Sequence, residues 1–338
     1  MNAQHWVAVD WGTSSWRGYL YSAGGECVAK RESDLGTLAS VGRFGGVLHA
    51  QLQGWPVPAF VLMCGTIGSA QGWVDAGYLA TPAALDLLAL EACQVADANL
   101  PYDVWIVPGI SHCAGTAQAD VMRGEESQAY GLLQSSPTRP LWMCAPGTHS
   151  KWVQFDDAGR VAGVHTFMTG EVFGVLMAHS ILGRIEGVTQ EKPDLSNPAL
   201  ETAFLDGLMA ERLPATDSSP HGLLHQLFGA RAQALTGFRN AQHVGAYLSG
   251  LLIGHEVRGM AAVVPAQEVV SLIANDRLAA RYRVAMDYYH LQFVSADTDC
   301  AAIGLAAWVR ALSRSDSGAD TTSHPLIQAI RRLEEHHV

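Results

Sequence analysis

An apolar run, Trp6-Val7-Ala8-Val9, delivers Asp10 and then breaks at Trp11-Gly12-Thr13-Ser14-Ser15 before a second run, Trp16-Arg17-Gly18-Tyr19-Leu20-Tyr21. A carboxylate at the end of a buried strand is costly to desolvate unless a cation or hydrogen-bond donors meet it. A Gly-Thr-Ser-Ser turn presents backbone N–H groups and hydroxyls to an oxyanion a few ångströms away. The combination points to a metal–phosphate site, and it occurs twice. Leu141-Trp142-Met143-Cys144-Ala145 leads into Pro146-Gly147-Thr148-His149-Ser150-Lys151 and then Trp152-Val153-Gln154-Phe155. One constant shift maps Gly12 onto Gly147, Thr13 onto Thr148, Ser15 onto Ser150 and Gly24 onto Gly159. A third apolar stretch follows each hairpin, Cys27-Val28-Ala29 and Val161-Ala162-Gly163-Val164-His165, as a meander requires. A duplicated strand–loop–strand with a Gly-Thr-x-Ser tip predicts two similar domains that face one another and grip a nucleotide's phosphates.

Both loops resemble the first and second phosphate motifs of the actin-like ATPase and sugar kinase superfamily. Three further segments, Gly65-Thr66-Ile67-Gly68-Ser69 with Gln71-Gly72-Trp73, Met122-Arg123-Gly124-Glu125-Glu126, and Leu248-Ser249-Gly250-Leu251-Leu252-Ile253-Gly254-His255-Glu256, make the set similar to the 2-dehydro-3-deoxygalactonokinases, in order and over nearly the whole chain. The resemblance implies an α/β fold of two duplicated ribonuclease H-like (actin-like ATPase) domains with a cleft between them. Residues 1–130 would carry the first phosphate loop and the sugar-acid site, and 131–338 the second loop and the adenosine site. It also implies ATP as donor, Mg²⁺, and phosphorylation of the 6-hydroxyl of 2-dehydro-3-deoxy-D-galactonate in galactonate and galactose catabolism.

Phosphoryl transfer asks a protein for in-line geometry, charge neutralisation and a base aimed at the acceptor hydroxyl. Asp10 would hold magnesium through water, since Mg²⁺ gives up its hydration shell reluctantly. Gly12, Thr13, Ser14 and Ser15 would bind one side of the phosphate chain, and Gly147, Thr148, His149 and Ser150 the other. Lys151 reads as an added charge or as a strand-end surface lysine. For the base, Glu125 ranks first, Glu126 second and Asp120 third; the competing reading is that both glutamates only complement a helix dipole. The substrate carboxylate needs cationic partners, and Arg17 and Arg123 stand nearest the motifs, with Ser69 beside them and Trp11, Trp73 and Tyr78 as aromatic walls or core. Glu171 reads as a substrate- or magnesium-side group or, by default, as an N-terminal helix charge. Gly250 and Gly254 would frame the nucleotide's base and ribose or simply let helices pack closely. Ala274 stands where the family's adenosine contact would have glycine, a departure that narrows the space beside adenine.

The 338 residues suffice for two cores, and the net charge of −11 argues against a nucleic-acid surface. The acidic balance also weighs against a polyphosphate-cleaving enzyme of the same fold. A kinase for a related sugar acid such as 2-dehydro-3-deoxygluconate and a non-catalytic ATP-binding regulator are compatible with the same motifs. No run is long enough for a membrane span and residues 1–5 lack a signal-peptide pattern, so a cytoplasmic enzyme is expected, with homodimerisation left open. Six scattered cysteines without a Cys-x-x-Cys pair predict free thiols.

Periodicity predicts strands near 6–10, 16–21, 26–31, 59–63 and 104–107, and a helix around 40–52. Thr81-Pro82 reads as a helix start running to Cys93. A helix from about 126 to 133 follows the Arg-Gly-Glu-Glu motif. Further helices are expected from Thr169 to Ile181, over 221–235, 299–312 and 324–335, with a strand at Val269–Ile273. Residues 187–221, broken by prolines and acidic residues, read as an insertion or lid edge.

Overall fold

A strand inside a sheet must be apolar on both faces, and β1 (His5–Trp11) is: Trp6 to Val9 and Trp11 are all buried. The computed structural model describes residues 5–97, 99–113, 119–189, 193–211, 222–296, 299–314 and 324–335. β2 (Trp16–Ser22) pairs antiparallel with β1, setting Arg17 opposite Asp10, and β3 (Cys27–Ser33) completes the meander. Two short helices, α1 (Thr37–Ser40) and α2 (Phe44–Gln51), replace the single expected one, because Gly42 breaks the run at a φ of 76°. β4 (Phe60–Cys64) then returns parallel to β1 and brings Cys64 beside Asp10.

After β4 come β5 (Tyr78–Ala80), β6 (Cys93–Val95), β7 (Asp103–Ile106), β8 (Gly109–Cys113) and β9 (Ala119–Met122). The first sheet runs β3-β2-β1-β4-β7-β6, while β5-β8-β9 form a small sheet of their own. The helix expected from Thr81 to Cys93 is absent. Thr81 N–H donates to Ser111 O at 2.9 Å and its hydroxyl pairs with His112 Nδ1 at 2.8 Å, so Thr81 belongs to the small sheet rather than capping a helix. Ala83 bridges to Val161, which keeps the backbone extended. Only Leu85–Glu91 coils, as a 3₁₀ helix burying Leu85 and Leu88, and Cys93 begins a strand.

α3 (Glu125–Ser135) leads to β10 (Trp142–Ala145), β11 (Ser150–Phe155) and β12 (Val161–Phe167). There follow α4 (Thr169–His179), α5 (Pro198–Glu211), α6 (Leu223–Leu235) and α7 (Val244–Ala261), then β13 (Val269–Leu272), α8 (Asp276–Tyr288), β14 (Gln292–Ser295), α9 (Cys300–Ser313) and α10 (Pro325–Glu335). The second sheet runs β12-β11-β10-β13-β14, the same order as β3-β2-β1-β4-β7, with β10, β13 and β14 parallel. The repeat read from the two loops is therefore a repeat of topology. The chain divides into two compact units, Met1–Pro140 with Val153–Val164 and Asp297–Val338, and Leu141–Trp152 with His165–Ala296.

In the first unit Val7, Val9, Leu20, Val61, Met63 and Ile106 build one core with Phe44 and Ile67, and Trp6 stacks on Tyr21 at 4.5 Å. α3 crosses α9 almost backbone to backbone: a Cβ on Gly131 would lie 1.9 Å from Cys300 O, and one on Gly304 2.0 Å from Ser127 O. In the second unit α5 crosses α7 the same way through Gly207 and Gly250. This corrects the reading of 187–221 as a lid edge. Asn197 caps Ala199 N–H at 3.0 Å, and Ala203, Phe204 and Leu208 are core; residues 190–192 and 212–221 lie outside the described residues. The six cysteines are free thiols, as expected.

Gly304→Ala should cost about 1–3 kcal/mol in denaturant unfolding, because the methyl meets a carbonyl rather than a yielding side chain. An unchanged midpoint would show that the α3–α9 crossing has slack.

Candidate active site

The end of β1 is a point of enforced close approach. Gly65, at a φ of 95°, lies so near Trp11 that a Cβ would stand 2.5 Å from its carbonyl oxygen, and Gly124, at a φ of 105°, abuts Gly65 in turn. These two glycines bring the N-terminus of α3 to the loop after β1. Cys64 bridges them chemically: its Sγ lies 3.3 Å from Ser127 Oγ and 3.9 Å from Asp10 Oδ1. Asp10 Oδ2 meets Arg17 Nη1 at 3.2 Å. Burial pushes the Asp10 carboxyl above its usual range, and the Arg17 charge pulls against it.

The loop itself is braced from behind. Gly12 N–H donates to Ser15 O at 2.9 Å, Thr37 N–H to Gly12 O at 2.9 Å and Leu38 N–H to Thr13 O at 3.3 Å. Gly36 leaves no space, since a Cβ there would sit 2.3 Å from Thr13 O. Thr13 and Ser14 remain exposed at the tip. Thr37 and Thr66, which sequence reasoning did not single out, tie the brace together with hydroxyls 2.9 Å apart.

Of the three candidate bases, Glu125 is the half-buried one at the head of α3, its Oε2 accepting Arg123 N–H at 3.1 Å. Glu126 is sealed from solvent. Its Oε2 accepts Gly124 N–H at 2.7 Å while its Oε1 has no hydrogen-bond partner among the described residues. Burial first, and the neighbouring Glu125 charge second, push its carboxyl up to about 8. Asp120 stands on β9 opposite His112, its Oδ1 accepting Val121 N–H at 2.7 Å. Only Glu125 among them combines the α3 terminus with accessible surface.

Arg123 is the unusual cation. Its side chain is 6% exposed, its Nη2 donates to Gly77 O at 2.8 Å, and its guanidinium lies 4.2 Å over the Tyr78 ring. Nε and Nη1 are buried and have no partner among the described residues. Such groups are rare because each lost hydrogen bond is costly, and the same guanidinium has Asp75 Oδ1 3.8 Å from its Nη2. Ser69, by contrast, donates to Thr66 O at 2.7 Å. Trp73 stacks on Phe44, which meets Trp11 edge-on, and lines a recess of about 480 Å³ with Arg43, Gly45, Gly46, Gln71 and Asp97. Trp11 is fully buried, so it is core rather than a wall.

In the second unit the Gly147-Thr148-His149 tip is exposed, but the next residues turn inward. Ser150 is fully buried and donates to Glu256 Oε1 at 2.6 Å; Lys151 donates to Thr166 Oγ1 at 2.7 Å. His149 Nε2 pairs with the Glu171 carboxylate, so Glu171 is more than a helix-terminal charge. Gly250 spends its bare face on α5, where a Cβ would stand 2.0 Å from Phe204 O, and Gly254 is buried within α7. Gly250 thus serves helix packing. Ala274 packs partly buried against the core of this unit. Glu256 was visible within a motif yet carried no role; its full set of partners emerges only from the fold.

No group of three or more His, Cys, Asp and Glu side chains placed to hold a metal occurs among the described residues, and no described helix is long and apolar enough to cross a membrane. Asp10 is the carboxylate placed beside an oxyanion loop, which suits an ion that keeps most of its water and phosphate ligands.

Two meander-plus-parallel sheets of one strand order, each opening on a Gly-Thr loop, are the fold of the actin-like ATPase and sugar kinase superfamily. Within it the chain belongs to the 2-keto-3-deoxy-galactonokinase family, whose family model matches residues 10–308. It is 36% identical over 314 residues to a protein of Rhizobium meliloti (strain 1021) described as a probable 2-dehydro-3-deoxygalactonokinase, covering 92% of this chain and 98% of that one. It is also 36% identical over 284 residues to the 2-dehydro-3-deoxygalactonokinase of Escherichia coli (strain K12), covering 83% and 88%. A crystal structure from Sinorhizobium meliloti, assigned as a 2-dehydro-3-deoxygalactonokinase, superposes with a TM-score of 0.77 at 33% identity over 93% of this chain and 98% of that one.

Glu126 makes stability fall with pH. The folded protein keeps a proton up to about pH 8 that the unfolded chain releases near 4.5, so the native state is favoured below 4.5 and loses that advantage as pH rises to 8. Glu126→Gln should flatten this decline in denaturant titrations from pH 5 to 9; an equal slope in both proteins would remove Glu126 as its source.

Proposed function

We propose that the protein transfers the γ-phosphoryl group of ATP to the terminal 6-hydroxyl of 2-dehydro-3-deoxy-D-galactonate. The family supports the reaction class, and the observation that carries the reading is the meeting of Asp10 and the acidic head of α3 at Cys64 and Gly65. Transfer needs the donor's charge and the acceptor's base within reach of each other, and this junction puts a candidate for each on one unit.

Asp10 is the residue that would hold Mg²⁺, which when bound neutralises phosphate charge. Thr13 and Ser14 offer hydroxyls and N–H groups to phosphate oxygens; the Gly147-Thr148 tip of the other unit carries donors of the same kind. Glu125 orients the acceptor hydroxyl and takes its proton as the bond to phosphorus forms. An ordinary carboxylate is basic enough for this, because the proton leaves late when the transition state is loose. Glu126 stays behind it, and its neutral form spares Glu125 a second charge at close range. Arg123 accepts the substrate carboxylate on its free Nε and Nη1, a pairing of guanidinium and carboxylate that Tyr78 holds flat. The reading places the reaction in the cytoplasm, where ATP is supplied.

A coupled ADP assay over a panel of epimeric sugar acids tests the substrate, with the galacto isomer expected to be the best acceptor. Glu125→Gln should lower kcat by about 10²–10⁴ while the KM for ATP stays within about threefold. Near-normal turnover would transfer the base role elsewhere. Arg123→Met should raise the KM for the sugar acid by about 10–100-fold and leave the KM for ATP in place. If both constants rose together, Arg123 would be a packing residue.

A further inference from the structure

The roles above leave Glu256 unused, although it is the most heavily bonded carboxylate of the second unit. It projects from the middle of α7 and is 1% exposed. Ser150 Oγ and Trp152 Nε1, both on β11, donate to its Oε1 at 2.6 and 2.9 Å. Tyr282 OH, on α8, donates to Oε2 at 2.7 Å, and Thr169 Oγ1, the first residue of α4, donates to the same oxygen. Each oxygen thus takes two donors from neutral groups, and no ion pair reaches it among the described residues. An apolar residue would fill this space without the cost of burying a carboxylate, so stability alone does not account for the choice.

The donors are arranged around the second Gly-Thr loop. Ser150 follows the tip directly. On the other side Thr169 opens α4, whose Gly170 lies against Gly147, a Cβ there falling 2.2 Å from Gly147 O. Glu171 N–H then donates to Thr148 O at 2.9 Å. Two backings of one loop are therefore fastened to one carboxylate. We propose that Glu256 is the positioning residue of the second phosphate loop, holding Ser150 and Thr169 at the spacing that sets the Gly147 and Thr148 N–H groups toward a nucleotide's phosphate. This rests on the nucleotide reading of that loop given above.

Calorimetric binding of MgADP to the full-length protein tests it without relying on turnover. Ser150→Ala and Thr169→Val, which each cut one fastening, should weaken MgADP about tenfold, the weight of one strong hydrogen bond, with the KM for the sugar acid within about twofold. Glu256→Gln, whose amide can still serve Trp152 and Ser150 while the Thr169 and Tyr282 hydroxyls rotate to accept, should retain most of the affinity. Tyr282 OH also lies 3.2 Å from Ser150 Oγ, so the control is Trp152→Phe, which removes a hydrogen bond to the same carboxylate but none to Ser150 or Thr169 and should bind MgADP like the wild type. A loss in Trp152→Phe equal to that in Ser150→Ala, or affinity tracking unfolding free energy across the set, would reduce Glu256 to a structural acid. Unchanged affinity in Ser150→Ala and Thr169→Val would overturn the proposal as well. Absence of MgADP binding by the wild type would instead refute the nucleotide reading of the loop itself, and MgADP binding without sugar-acid phosphorylation would refute only the substrate.

Discussion

The structure depends on how carboxylates are taken out of water. Asp10, Glu126 and Glu256 are each removed from bulk solvent, and each raised carboxyl reflects the same desolvation. What meets them differs, and the difference sorts their work. Asp10 faces an arginine at the edge of a loop. Glu126 meets only backbone N–H groups, its own and that of Gly124, and keeps an oxygen without a partner among the described residues. Glu256 meets four side-chain donors and becomes a fixed post.

Positioning these groups requires backbones in contact, and glycine is the residue that permits it. Gly65 and Gly124 let α3 reach the end of β1, and Gly131 with Gly304 lets α9 lie along α3 behind it. Any Cβ at these places would meet a carbonyl or main-chain carbon, which cannot swing aside. The acidic head of α3 is thus held by a helix crossing as well as by its own hydrogen bonds. The recess at Arg43 and Trp73 and the buried Arg123 lie on the same unit.

Much of the first meander was legible because its apolar runs and its Gly-Thr turn are local signals, and the second meander repeated them. Helices α3, α4, α6, α9 and α10 were legible for the same reason. The helix expected at Thr81 failed because the small sheet claimed its backbone donors, a competition invisible in a local pattern. α5 was missed because its flanks are acidic and proline-rich, whereas Asn197-Pro198 and the Phe204–Leu208 pair were available as a helix start and an inward face. Ser150 and Lys151 carried the right chemistry for phosphate, yet adjacent strand residues point to opposite faces and β11 is covered on both, so both side chains are buried.

The sequence by itself determined the reaction class: a carboxylate before an oxyanion loop, the loop's duplicate, and the Arg-Gly-Glu-Glu segment are short-range patterns whose chemistry survives any packing. It also determined the doubled meander, since each copy carries its own turn signals. Only the tertiary structure decided which of two adjacent glutamates keeps accessible surface, that Arg123 is buried with two N–H groups unspent, and that Glu256 gathers four distant donors. Those outcomes depend on desolvation and on partners brought together from separate elements, and both are properties of the folded neighbourhood rather than of any residue's place in the chain.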